Sequence, residues 1–92
     1  MSVPERYEYT EEELRSYLPS GWELVDGGEA AWDEKRQAVR LRVLDNVHFD
    51  WPVEVSARDA DRHGRLEALR QAMERVYRGR LGKSTRGLGL AG

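Results

Sequence analysis

Between Ala38 and Ala57 the chain alternates apolar and polar residues, and the alternation breaks once, at Asp45-Asn46. A period of two places successive side chains on opposite faces of a strand. In the first run Val39, Leu41 and Val43 share one side, with Arg40 and Arg42 on the other. In the second, Val47, Phe49, Trp51, Val53 and Val55 stand against His48, Asp50, Glu54 and Ser56. Two such strands joined by a two-residue turn make an antiparallel hairpin. One face can meet water, and the other must be covered. Pro52 has no N–H to give to a ladder, so the second strand is an edge or carries a bulge there.

The flanking segments supply the cover. Thr10 opens a helix with a capping box, its hydroxyl three residues ahead of Glu13. Tyr9 and Leu14 are placed as a hydrophobic staple. The acids Glu11, Glu12 and Glu13 suit the positive end of the helix dipole. Leu14, Tyr17 and Leu18 form its apolar stripe, and Pro19-Ser20-Gly21 ends it. A second helix is expected from about Asp61 to about Arg78, capped by Asp59 or Asp61. Leu66, Leu69, Met73 and Val76 form its stripe, Tyr77 widens it, and Gly79 and Gly82 stop it. Between the first helix and the hairpin, Trp22 to Val25 reads as a short strand. Asp26-Gly27-Gly28 reads as a hairpin turn, and residues 29–33 as a weaker returning strand. Whether 22–33 make one strand or two stays open at this level. The expected fold is α+β: a two-layer sandwich of helix, antiparallel meander of three or four strands, and helix, with both helices on one face of the sheet.

A length of 92 residues fits one domain. The division read here is an irregular lead-in over 1–9, a single α+β domain over 10–81, and a flexible, Gly-rich, basic tail over 82–92. No apolar run approaches the length that crosses a bilayer, and the first residues lack a signal-peptide pattern, so a cytoplasmic protein is expected. Cysteine is absent, which excludes disulfides and thiolate chemistry, and two histidines are too few for a zinc site. No cofactor, metal, membrane contact or catalytic residue is expected. His48 and Asp50, two apart on a strand with Arg40 or Arg42 across from them, are the nearest approach to an acid–base pair. His63-Gly64 at the start of the second helix, beside Arg62 and Arg65, is a possible anion site.

Charge is unevenly laid out. Residues 1–34 carry ten acids and two bases, and residues 35–92 carry thirteen bases and seven acids. Arg62, Arg65, Arg70, Arg75, Arg78, Arg80, Lys83 and Arg86 form a candidate basic ridge along the second helix and tail, able to follow a phosphate backbone. The helix–strands–helix order resembles the double-stranded-RNA-binding fold, whose second helix begins with a basic cluster. Arg62 and Arg65 occupy the comparable places. The segment Thr10 to Gly27 resembles the opening of the pterin-4a-carbinolamine dehydratases. That family's His-His-Pro run has no counterpart, so no activity follows from the resemblance.

Phe49, Trp51 and Pro52 on the expected edge strand are the candidate protein interface, since aromatic residues are enriched at interface cores. The functional expectation is a small non-catalytic binding module, a protein-interaction or accessory subunit with a protein partner or as a homodimer. The alternative is a nucleic-acid-binding domain using the arginine ridge.

Overall fold

The alternating segment Ala38–Leu44 forms β3, the centre of the sheet. The structure, a computed structural model, describes residues 2–91, with side chains described for 2–81. Along the chain come α1 (Glu11–Ser16), β1 (Glu23–Leu24), β2 (Ala31–Asp33), β3, β4 (Asp50–Ser56), α2 (Ala57–His63) and α3 (Arg65–Ala91). All strand pairs are antiparallel, and the fold is the expected two-layer α+β sandwich. The side chains of residues 82–92, those of Lys83 and Arg86 among them, lie outside the described ones, and the backbone expected to form a tail there is part of α3 as far as Ala91.

β3 pairs along its whole length with β4, from Ala38↔Ser56 to Leu44↔Asp50. Its other side takes both β1 (Glu23↔Leu44, Leu24↔Val43) and β2 (Ala31↔Arg40, Trp32↔Val39, Asp33↔Ala38). β1 and β2 therefore run in the same direction along one edge, as a single strand path interrupted in the middle. The hairpin turn expected at Asp26-Gly27-Gly28 is instead a bulge, a 3₁₀ segment over Val25–Gly28. Asp26, Gly27 and Gly28 all lie at positive φ, 50°, 68° and 87°. Three left-handed residues in succession carry the chain out of the sheet and return it in the same direction. Leu41 and Arg42 consequently face no residue of β1 or β2. Gly28 is required here, because a Cβ at its position would lie 2.6 Å from Leu14 Cδ1.

The hairpin between β3 and β4 also differs from expectation. β4 begins at Asp50, and Asn46–His48 form a three-residue connection. The His48 N–H donates to the Asp45 carbonyl and the Asp45 N–H to the Phe49 carbonyl, both at 2.9 Å. His48 takes φ 64°, the left-handed position that closes such loops. Val47 and Phe49 thus leave the strand, and His48 does not share a strand face with Asp50. At the other end the Ala57 N–H donates to the Gln37 carbonyl at 2.8 Å. Both framing bonds join odd-numbered residues. Hydrogen-bonded and non-hydrogen-bonded pairs alternate in an antiparallel ladder. Pro52, opposite Arg42, is thereby in a non-hydrogen-bonded pair, and its missing donor falls on the open edge. β4 is an edge strand, one of the two placements its proline allows.

Val39, Leu41, Val43, Val53 and Val55 point to one face and are buried beneath Leu14, Ala60, Ala68, Leu69, Ala72 and Met73. Thr10 caps α1 with the full capping box: the Glu13 N–H donates to the Thr10 hydroxyl at 3.0 Å, and the Thr10 N–H to Glu13 Oε1 at 2.9 Å. The expected second helix is two helices. β4 passes directly into α2, whose N-cap is Ser56, not Asp59 or Asp61. Asp61 lies inside α2 and accepts a 2.9 Å hydrogen bond from the Tyr7 hydroxyl. Gly64, at φ 93° and ψ 147°, breaks the helix and redirects the chain into α3. Those angles are close to glycine-only territory. α3 continues through Gly79, where a stop was expected. A lone glycine weakens a helix by about 1 kcal/mol without ending it, and residues on both sides of Gly79 are anchored. Within the lead-in, Glu5–Tyr7 form a 3₁₀ turn, and Tyr7 is buried with its ring stacked on Trp32 at 5.6 Å.

Candidate functional site

The end of the sheet where β3 meets β4 is organised around one carboxylate. Asp45 is 1% exposed, the only fully buried charged residue among the described residues. Its Oδ1 accepts from the N–H groups of Val47 and Phe49, both at 2.9 Å. Its Oδ2 accepts from Trp51 Nε1 at 3.0 Å and from Arg80 Nε at 3.0 Å. A buried carboxylate is tolerable only when its lone pairs are engaged, and here both oxygens are. Burial pushes the Asp45 carboxyl up. The bonds from Trp51, the Phe49 and Val47 N–H groups and Arg80 more than offset this and hold it at about 2. The residue expected to make a simple turn is thus the knot that fixes the loop. It ties the hairpin tip to α3 through Arg80.

The knot holds the tip residues outward. Val47 is 63% exposed and Phe49 54% exposed. The Phe49 ring leans on Trp51 at 5.3 Å and an angle of 55°. Trp51 is half-buried, packed against the core on one side and bonded to Asp45. Of the three expected interface residues, Phe49 and Pro52 are exposed, while Trp51 supports them. Tyr77 and Leu81 on α3, on either side of the Arg80 anchor, are also exposed. Tyr77 meets the buried Trp22 at 6.0 Å. Periodicity puts Val47 and Phe49 on the strand face that carries Val53 and Val55, and of the two only Phe49 is expected at an interface, so the exposure of Val47 is what the structure adds. The signal available was Asp45 itself, a residue whose side chain readily binds backbone N–H groups two to four positions on.

The basic ridge is distributed differently. Arg65 donates to Glu13 through both terminal nitrogens, at 2.8 and 2.7 Å, and to the Glu8 carbonyl at 2.9 Å. It also lies over the Tyr9 ring at 5.0 Å, while the Tyr9 hydroxyl donates to the Arg65 carbonyl at 2.6 Å. Arg65 is therefore the clasp between α1 and α3. Arg70 bridges Glu67 and Glu74, Arg78 pairs with Glu74, and Arg80 holds Asp45. Arg62 and Arg75 are exposed and make no ion pair among the described residues. Arg62 lies on α2 and the others on α3, with the Gly64 break between them.

The remaining polar groupings do not assemble. His48 is in the turn, and Asp50 is forked onto Arg42 through Nε and Nη2. His63 ends α2 and Gly64 leads directly into α3, its carbonyl accepting from the Ala68 N–H at 2.9 Å, so the pair stands at the junction of the two helices. No group of three or more potential ligands gathers for a metal ion among the described residues. No helix is long and apolar enough to cross a membrane among the described residues. Compared with protein-family models, curated proteins and solved structures, the chain matches none.

Proposed function

We propose that this chain is a small non-catalytic binding module that engages a protein partner through the tip of the β3–β4 hairpin, as an accessory subunit of a larger assembly or as a homodimer. The observation that supports this reading is the outward presentation of Phe49 and Val47, whose backbone N–H groups are both bound by the buried Asp45 carboxylate. Exposed apolar side chains on a mobile loop lose entropy on binding. Held by a buried carboxylate, they lose much less, and preorganisation of this kind raises affinity without adding contacts. Aromatic residues are also enriched at interface cores. The nucleic-acid alternative draws on Arg62 and Arg75, with Lys83 and Arg86 beyond them. It has less support, because most arginines of the ridge are engaged with carboxylates of the same chain.

The test is co-purification from nuclease-treated lysate of the native host at low and high salt, comparing wild type with Phe49→Ser and with Arg62→Glu/Arg75→Glu. The expected result is one protein partner retained at high salt, lost by Phe49→Ser and kept by the arginine variant. A catch that nuclease removes, that salt weakens steeply and that the arginine variant abolishes transfers the reading to nucleic acid.

A further inference from the structure

The helix-free face of the sheet carries a second feature. Where the Val25–Gly28 bulge leaves the edge of β3, it opens a depression of about 410 Å³. That volume is in the range of small-molecule sites. The bulge wall supplies Val25, Asp26, Glu29, Ala30 and Ala31, β3 supplies Arg40, Leu41 and Arg42, and Pro52 of β4 closes the far side. Asp26, a non-glycine residue, is held at φ 50° and ψ 41° on this wall. Backbone strain of this kind concentrates at ligand sites, and bulges commonly border them.

The charges on the two walls are opposed. Asp26 and Glu29 stand on the bulge and make no ion pair among the described residues. Arg40 and Arg42 stand on β3. Asp33 holds Arg40 only loosely, at 3.6 Å, longer than a hydrogen bond. Asp50 engages Arg42 on its Nε and Nη2 edge, which leaves Nη1 outside that fork. Asp26 is near enough to act electrostatically on the Arg42 guanidinium. Val25, Ala30, Ala31 and Pro52 give the same depression apolar lining beside these charges. A ligand of one sign is drawn to one wall and repelled by the other. A ligand with both signs and an apolar body satisfies both, and it covers the apolar lining.

We infer that this depression binds a small zwitterion with an apolar side chain, of the amino-acid or dipeptide class, with its carboxylate on Arg40 and Arg42 and its ammonium on Asp26 and Glu29. The site is on the face opposite the helices and is independent of the hairpin-tip reading.

The test is chemical-shift titration of the full chain with four probes: leucine, glycyl-leucine, N-acetyl-leucine and leucinamide. The last two keep only the negative or only the positive charge. The expected result is shifts confined to residues 25–31, 40–42 and 52 for at least one zwitterion, at an affinity about tenfold above both single-charge analogues, or 1.4 kcal/mol. Arg40→Gln and Asp26→Asn should each weaken that binding severalfold. Asparagine tolerates the left-handed conformation at position 26, and an unchanged wild-type amide spectrum outside the bulge verifies the fold. No saturable shift with either zwitterion overturns the inference. So does a single-charge analogue binding as tightly as the zwitterion, or a folded Asp26→Asn variant binding as well as wild type.

Discussion

At the scale of single residues, three positions determine the path of the chain. Gly64 separates two helices that the apolar periodicity reads as one. Its torsion angles exclude a side chain even though a Cβ would meet nothing within 4 Å. Gly64→Ala is therefore expected to destabilise by about 1–3 kcal/mol through backbone strain alone. Gly28→Ala should cost at least as much, since Gly28 also lies at positive φ and its Cβ would in addition collide with Leu14 beneath the bulge. Urea unfolding of both variants measures these losses, and a neutral Gly64→Ala refutes the strain argument. Asp45 is the third position. Asp45→Ala leaves two backbone N–H groups, the Trp51 indole and Arg80 without their acceptor. It should lower the melting temperature more than Asp45→Asn, which keeps an acceptor oxygen. Residue identity alone marked Asp45 as turn chemistry and left Gly64 inside a single helix from about Asp61 to about Arg78. The two readings missed which torsion Gly64 takes and that Asp45 is buried, because both depend on what packs above them.

At the scale of elements, the alternating segments were read correctly in their cores and wrongly at their ends. Val39, Leu41, Val43, Val53 and Val55 face the helices as period two requires. The same pattern extended through Val47 and Phe49, yet the knot at Asp45 takes their N–H groups and ends the ladder at Asp50. The capping box at Thr10 was readable in full, because both of its partners lie within four residues. The α2–α3 division was not, because Ser56 is at once the end of a strand and the cap of a helix. β4 yields a prediction of its own. Pro52 removes one donor from the open edge, where strand addition by a second chain would otherwise find a continuous row. Pro52→Val restores that donor. It should promote self-association, seen by light scattering as a rise in apparent mass with concentration. A variant whose apparent mass matches that of wild type at every concentration removes this role from Pro52.

At the scale of the whole molecule, the ion pairs Arg65–Glu13, between α1 and α3, and Arg80–Asp45, between α3 and the hairpin, join distant parts of the chain. The bidentate Arg65 bond, with the Thr10 N–H, holds the Glu13 carboxyl at about 2 against its usual 4.5. Asp45 is held at about 2 against 3.8. Both folded-state values are depressed. Their contribution to stability is therefore complete above the ordinary carboxylate values and is lost as pH falls through the folded ones. The melting temperature should be level above about pH 4.5 and decline between there and about pH 2. Glu13→Gln should start lower and decline less steeply across that window. An equally steep decline in the variant places the acid sensitivity elsewhere.

Local order determined the α+β class, the capped first helix and the β3 strand with its inward valines, and it narrowed Pro52 to an edge or a bulge. Each of these rests on spacing within a few residues, which period, propensity and capping chemistry control directly. Tertiary structure decided the rest: the bulge in place of a hairpin turn, the opposed charges it sets across the open face, the knot around Asp45, the exposure of Phe49, and the partners of the arginines. Each of those depends on groups far apart in the chain, and a charge or a torsion acquires its role only when packing brings its distant partner within bonding distance.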